Sequence, residues 1–163
     1  MLSGLTRQFL DTFFYYICSM SNYSKLLVVL QFICLLFLII HGNLMASGIY
    51  LFFQFFGVFL CLWSIWVMKI GHFNIQPELK INAVLITTGP YKIVRNPMYC
   101  GLIIFFGAGI TSSFHYLDLL VFLSLIMIFL FKIFSEEKFM TLRFGRAYLD
   151  YQKRTHRLVP CLF

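Results

Sequence analysis

Long apolar stretches alternate with short polar interruptions along this chain, and four of the stretches approach the length that crosses a bilayer as helix, roughly 17–25 residues. They run from Leu26 to about Ala46, Ile49 to Met68, about Met98 to Phe114, and Leu117 to Phe134. Only Gln31 and the His41-Gly42-Asn43 group interrupt the first. The third and fourth are short and lie only a few residues apart, around 112–116, which predicts a tight antiparallel helical hairpin. After them, EEKFMTLRFGRAYLDYQ is rich in helix formers, so the tail reads as a continuation of the fourth helix. Gly145 is its weak point, worth about 1 kcal/mol against Ala, and Pro160 ends the pattern. Ahead of the first run, residues 5–20 predict an interfacial helix with Phe9, Phe13, Phe14, Tyr16 and Ile17 toward lipid and Arg7, Gln8 and Asp11 toward headgroups. Asp11 breaks its apolar run and no small-residue cleavage site follows, unlike a signal peptide. The expected fold is all-α: one polytopic membrane domain over 1–163, with about four transmembrane helices, the interfacial helix and a cytoplasmic helical tail.

Composition supports the bilayer as solvent. The chain is 61% hydrophobic and 12% charged, against about 25% charged in soluble proteins. So few charges cannot cover a water-facing surface. The net charge of +7 raises nucleic acid as a partner, but the cations sit between apolar runs, as in basic loops on a membrane surface. Lys25, Lys69, Lys80, Lys92, Arg95, Lys132, Lys138, Arg143, Arg146, Lys153, Arg154 and Arg157 all fall on one side, while 41–48 and 111–116 carry no Lys or Arg. The positive-inside rule makes that side cytoplasmic, with both termini there. The expected partners are lipid and a lipophilic or lipidated substrate. Cys18, Cys34, Cys61, Cys100 and Cys161 contain no CxxC pair, and His41, His72, His115 and His156 show no ligand spacing, so neither a disulfide framework nor a metal site is expected.

Two polar segments, 69–97 and 135–163, therefore meet on the cytoplasmic side. In the first, Asn96-Pro97 predicts a helix start, leaving Arg95 and Asn96 beside free N–H groups that bind anions, with Tyr91 and Tyr99 flanking. In the second, Glu136 and Glu137 are two of only three glutamates in the chain. Adjacent carboxylates suit a cationic ligand, or they pair with Lys132, or with Lys92 and Arg95 across the gap. Glu136, Met140 and Arg143 share a helix face and Glu137 a neighbouring one. Tyr148 and Tyr151 recur at helical spacing, and Arg154 and Arg157 suit anionic headgroups. Gly107-Ala108-Gly109 suits close helix packing, and Trp63 and Trp66 an interfacial helix end.

Together GPYKIVRNPMYCG, a hairpin over 102–135, Glu136-Glu137, FGRAYLDY and RLVP resemble, in order and spacing, the isoprenylcysteine carboxyl methyltransferase family and the wider group that includes phospholipid N-methyltransferases. The resemblance covers 85–160. It implies an S-adenosylmethionine pocket between the third and fourth helices and the tail, lined by Tyr91, Arg95, Asn96, Pro97, Tyr99, Gly101, Glu136, Glu137 and Tyr148, with S-adenosylhomocysteine as product. It also implies an acceptor-orienting role for Arg143 and, for an amine acceptor, proton removal by Glu137. Asn96 stands where the family usually has His, and His156 where it often has Pro; Asn cannot titrate. Two rival expectations are an NADPH-dependent sterol-reductase-like oxidoreductase and a non-catalytic membrane protein that keeps the fold.

Overall fold

The computed structural model describes residues 22–70 and 85–158. The interfacial helix expected at 5–20, Cys18, Lys80 and Cys161 lie outside the described residues. The elements are α1 (Asn22–His41), α2 (Ile49–Ile70), a 3-10 turn (Gly89–Lys92), α3 (Pro97–Ser112), α4 (Tyr116–Phe144) and α5 (Arg146–Arg154). Among the described residues there is no strand, only one isolated parallel bridge between Val94 and His156. The all-α class stands.

Three helices, α1, α2 and α4, are long and apolar enough to cross a membrane. The fourth expected span, α3, is apolar but has 16 residues, about 24 Å against a hydrocarbon core of about 30 Å. Phe52, Phe55 and Leu62 on α2 are 64%, 65% and 60% exposed. Lipid, not water, is the solvent that tolerates such a face.

The fourth helix continues past its apolar run, as expected, and has 29 residues, because the polar sequence after Phe134 keeps its helix formers. It does not continue unbroken through the tail. Gly145, at φ 52° and ψ −125°, ends α4 and starts α5 in a new direction, using a backbone region that side-chain-bearing residues avoid. The third and fourth helices are joined by a short turn but do not form the tightest pair. α3 packs chiefly on α2, and α4 on α1. Glycines decide this: a Cβ at Gly57 would lie 2.6 Å from the Gly101 carbonyl oxygen, and one at Gly101 would lie 2.7 Å from that of Gly57. Their absence lets the two backbones touch. Where α1, α3 and α4 meet, Leu38, Phe106, Ile110, Leu125 and Phe129 form the core.

At one end of the bundle the α1–α2 turn is tied by neutral groups. Gln54 donates to the Asn43 carbonyl at 2.9 Å and accepts from the Ala46 N–H at 2.9 Å. A Cβ at Gly109 would come 2.5 Å from that same Asn43 carbonyl oxygen, so the small residues there do serve close packing. Most of the charged residues gather at the opposite end; Asp118, buried in the first turn of α4, lies at this one.

Candidate functional site

Helix α4 carries its charged groups out of the apolar layer. Glu137 lies about 32 Å along the axis from Tyr116 at 1.5 Å per residue, near the far edge of the hydrocarbon core. The break at Gly145 turns α5 back over the 89–96 loop. Tyr148 and Tyr151 are buried there, and the Tyr151 hydroxyl donates to the Tyr91 carbonyl at 2.6 Å. Beyond α5 the chain runs beside the loop: the Arg95 N–H donates to the His156 carbonyl at 2.7 Å, the His156 N–H to Ile93 at 3.0 Å, and the Asn96 N–H to Arg157 at 3.2 Å.

This pairing delivers two arginines to one carboxylate. Arg95 Nε donates to Glu137 Oε1 at 2.8 Å, and Arg157 Nε to Glu137 Oε2 at 2.8 Å. The Arg95 and Glu137 side chains are each only 8% exposed. Arg95 Nη1 reaches the Gln152 carbonyl at 3.1 Å, the Thr155 hydroxyl at 3.3 Å and the Thr155 carbonyl. Thr155 in turn donates to the Tyr151 carbonyl at 2.7 Å. The Arg157 guanidinium also lies 4.9 Å from the centre of the Phe134 ring. The two distant segments thus meet, as expected, and of the alternatives for the glutamates the cross-gap pair is the one formed. Arg95 and Glu137 grip each other, so no nucleoside lies between them. Arg157 holds Glu137 rather than standing ready for a headgroup.

The remaining expected residues separate into two groups. Asn96 is the N-cap residue of α3, but its side chain makes no cap; Nδ2 donates to the Arg157 carbonyl at 3.2 Å. Pro97 is buried at the first turn. Gly101 faces α2, where a Cβ would meet Cys61 Sγ at 2.6 Å, so its small size serves helix packing. Tyr91 is buried in the 3-10 turn, and burial, then the Glu136 charge, pushes its phenol up to about 12. Burial, then the Glu137 charge, pushes Tyr148 up to about 12. Both phenols remain neutral across the physiological range.

Glu136 is different. It is exposed and accepts from the Tyr99 hydroxyl at 3.1 Å. Tyr99 stacks on Phe129 with centroids 4.7 Å apart, and Lys132 Nζ lies 5.5 Å from the centre of the Tyr99 ring. Lys132 also donates to Gln31 Oε1 of α1 at 2.8 Å. Arg143 stands further along α4, its guanidinium 5.7 Å from the centre of the Phe144 ring.

Sequence reasoning missed Gln31, Gln152 and Thr155 as partners, and took Lys132 as a flanking charge or a partner for the glutamates but not as a residue held by α1. A lysine four residues before a Glu-Glu pair, with a glutamine in another apolar helix, was the available signal for the first and last of these.

The model for the phospholipid methyltransferase family matches residues 45–147. The chain belongs to the phospholipid methyltransferase family. The match takes in α2, α3, the loop that carries Arg95, and α4 with its Glu136-Glu137 pair, and it leaves out α1. No curated protein matches the chain in sequence. Membership of the phospholipid methyltransferases agrees with the resemblance drawn from the motifs and goes against the NADPH oxidoreductase.

Proposed function

We propose that this protein transfers a methyl group from S-adenosylmethionine to a lipophilic acceptor, at the end of the bundle where α3, α4 and the tail converge. The observation that carries this is the exposed Glu136 carboxylate, tied to the Tyr99 hydroxyl and supported from behind by the Arg95–Glu137–Arg157 clasp. Its family membership supplies the reaction type.

The donor set suits the cofactor in part. Glu136 is an accessible acceptor for an ammonium or a ribose hydroxyl. Tyr99, Tyr91 and Tyr148 supply aromatic surface for adenine or a sulfonium. The first turn of α3, after Asn96 and Pro97, has N–H groups without helical partners that suit a carboxylate. Arg95 and Glu137 fit less well as direct ligands, because they already satisfy each other; their work is to fix the loop and Glu136 in register. Gly101 allows α3 to sit close against α2. When bound, the cofactor supplies an activated methyl group, and the protein's task is to align the acceptor and exclude water. With both Glu137 oxygens engaged by arginines, Glu136 is the better placed carboxylate to take a proton from an amine acceptor. Arg143 orients a carboxylate or phosphate on the acceptor from beyond the clasp. The acceptor is a prenylcysteine-type carboxylate or a lipid amine. The charge asymmetry of the loops puts this end and the tail in the cytoplasm.

The test is transfer of a labelled methyl group from S-adenosylmethionine to a panel of phospholipids and prenyl-thiol acceptors, with S-adenosylhomocysteine binding measured against NADPH. The expected result is transfer to at least one lipid acceptor, and S-adenosylhomocysteine affinity weakened by Glu136→Gln. Binding of NADPH but not S-adenosylhomocysteine would overturn it, as would affinity indifferent to Glu136.

A further inference from the structure

Lys132 is out of place for a structural residue. It lies about 24 Å along α4 from Tyr116, roughly one and a half turns short of the clasp, on the bilayer side of Glu136. Ionisable groups at such depth are costly and usually functional. What holds it is mostly neutral: the Gln31 amide oxygen at 2.8 Å and the face of the Tyr99 ring at 5.5 Å. Glu136 stands one turn on and shares its charge with the Tyr99 hydroxyl.

The charge of the whole cluster is unbalanced. Lys132, Arg95 and Arg157 face two carboxylates, Glu136 and Glu137. Arg95 and Arg157 share Glu137, which leaves Lys132 and Glu136 as the pair on the membrane side. The methyl donor carries a net positive charge of its own. If its ammonium or ribose engages Glu136, as the reading above has it, Lys132 loses its nearest counter-charge. An anion arriving with the acceptor restores the balance.

Resting on that reading, the geometry points to Lys132, held by Gln31 of α1, as the anchor for the anionic group of a lipid acceptor that reaches the site from the bilayer. The chemistry recognised is a single oxyanion on an apolar tail, either a phosphate or a carboxylate. α1 lies outside the family match, which begins at residue 45, so this anchor makes acceptor recognition depend on both halves of the chain.

The test uses the full chain in the non-ionic detergent dodecyl maltoside, where no lipid phosphate competes. Inhibition of methyl transfer is measured with oleyl phosphate, oleate and oleyl alcohol, which share a tail and differ in the head. In the native protein the better anionic head should bind roughly 10-fold to 100-fold more tightly than the alcohol, the range for a hydrogen bond to a charged group, and whether it is phosphate or carboxylate names the acceptor's anion. Lys132→Met should erase that margin while leaving inhibition by the alcohol unchanged and without weakening affinity for S-adenosylhomocysteine, since Glu136 is then free of its lysine. Lys132→Arg should keep most of the margin and Gln31→Leu part of it, and both preserve an answer if the methionine variant folds poorly. The inference is overturned if the native protein shows no preference for the anionic heads, or if Lys132→Met weakens all three compounds alike, as a purely structural lysine would. Absence of transfer to any acceptor would instead remove the methyltransferase reading, and this one with it.

Discussion

The two ends of the helix bundle close by different chemistry. At the end formed by the α1–α2 and α3–α4 turns, one glutamine satisfies a backbone carbonyl and a backbone N–H, and Gly109 lets the turn settle onto α3. No ion pair joins the described residues there. At the other end, a carboxylate and a guanidinium that are both 8% exposed face each other, a second guanidinium completes the set, and a returning tail covers them. A buried ion pair is a poor way to gain stability, since desolvation offsets most of the attraction. The neutral end shows that this chain can close a turn without one. The difference teaches that the charged end is built for something other than holding the helices together, which is why the proposed site belongs there.

Breaking one partner at each end should expose the contrast. Glu137→Gln strands Arg95 and Arg157, and removing one member of a buried pair costs about 3–5 kcal/mol. The loss should be concentrated in the tail: trypsin should cut after Lys153 or Arg154 much faster than in the native protein, while thermal unfolding in detergent falls. Gln54→Leu, at the neutral end, should cost about 1–3 kcal/mol through the unsatisfied Asn43 carbonyl and Ala46 N–H, with tail cleavage unchanged. Equal destabilisation by the two, or a tail that stays protected in Glu137→Gln, would erase the distinction between the ends.

The sequence made one end of this contrast readable and left the other half hidden. Apolar run length located α1, α2 and α4, because a bilayer demands unbroken hydrophobicity. It read α3 as a short, nearly spanning run, and the helix has 16 residues, ending where Ser112 and Ser113 interrupt the apolar sequence. The meeting of 69–97 with 135–163 was legible from charge asymmetry alone. What each charge touches was not. Glu137 rather than Glu136 takes Arg95 because Glu137 lies on the buried face of α4 that meets the loop, and the Val94–His156 bridge pairs residues far apart in sequence with no local signal. Asn96 was readable as a helix start, yet its side chain serves Arg157, since the tail supplies a carbonyl that the sequence alone cannot place there.

Gly145→Ala sharpens the comparison with a smaller effect. A Cβ at this position meets nothing within 4 Å, so sterics with neighbours play no part. The cost comes from placing a side chain at φ 52°, about 1–2 kcal/mol. Relief would come from continuing α4 straight, which lifts Tyr151 from the Tyr91 carbonyl. The expected outcome is partial loss of tail protection, weaker than in Glu137→Gln, with the neutral end unaffected in hydrogen exchange. Full protection would mean that the turn at Gly145 is not what brings the tail back.

The mildest probe is alkaline pH, because it acts only where tyrosines are buried beneath the tail. Tyr91 and Tyr148 are each pushed up from an ordinary value near 10 to about 12, chiefly by burial, with the neighbouring glutamate charges adding to it. The neutral phenol is therefore favoured in the folded state. Their contribution is fully present below about pH 10 and is lost as pH climbs toward 12, because the unfolded chain sheds these protons first. Absorbance near 295 nm should show a late phase from Tyr91 and Tyr148, above the range of an ordinary phenol. Tail cleavage should accelerate only in that late phase. A single titration step for all tyrosines would show that the tail does not seal the charged end, and the contrast between the two ends would then rest on the ion pairs alone.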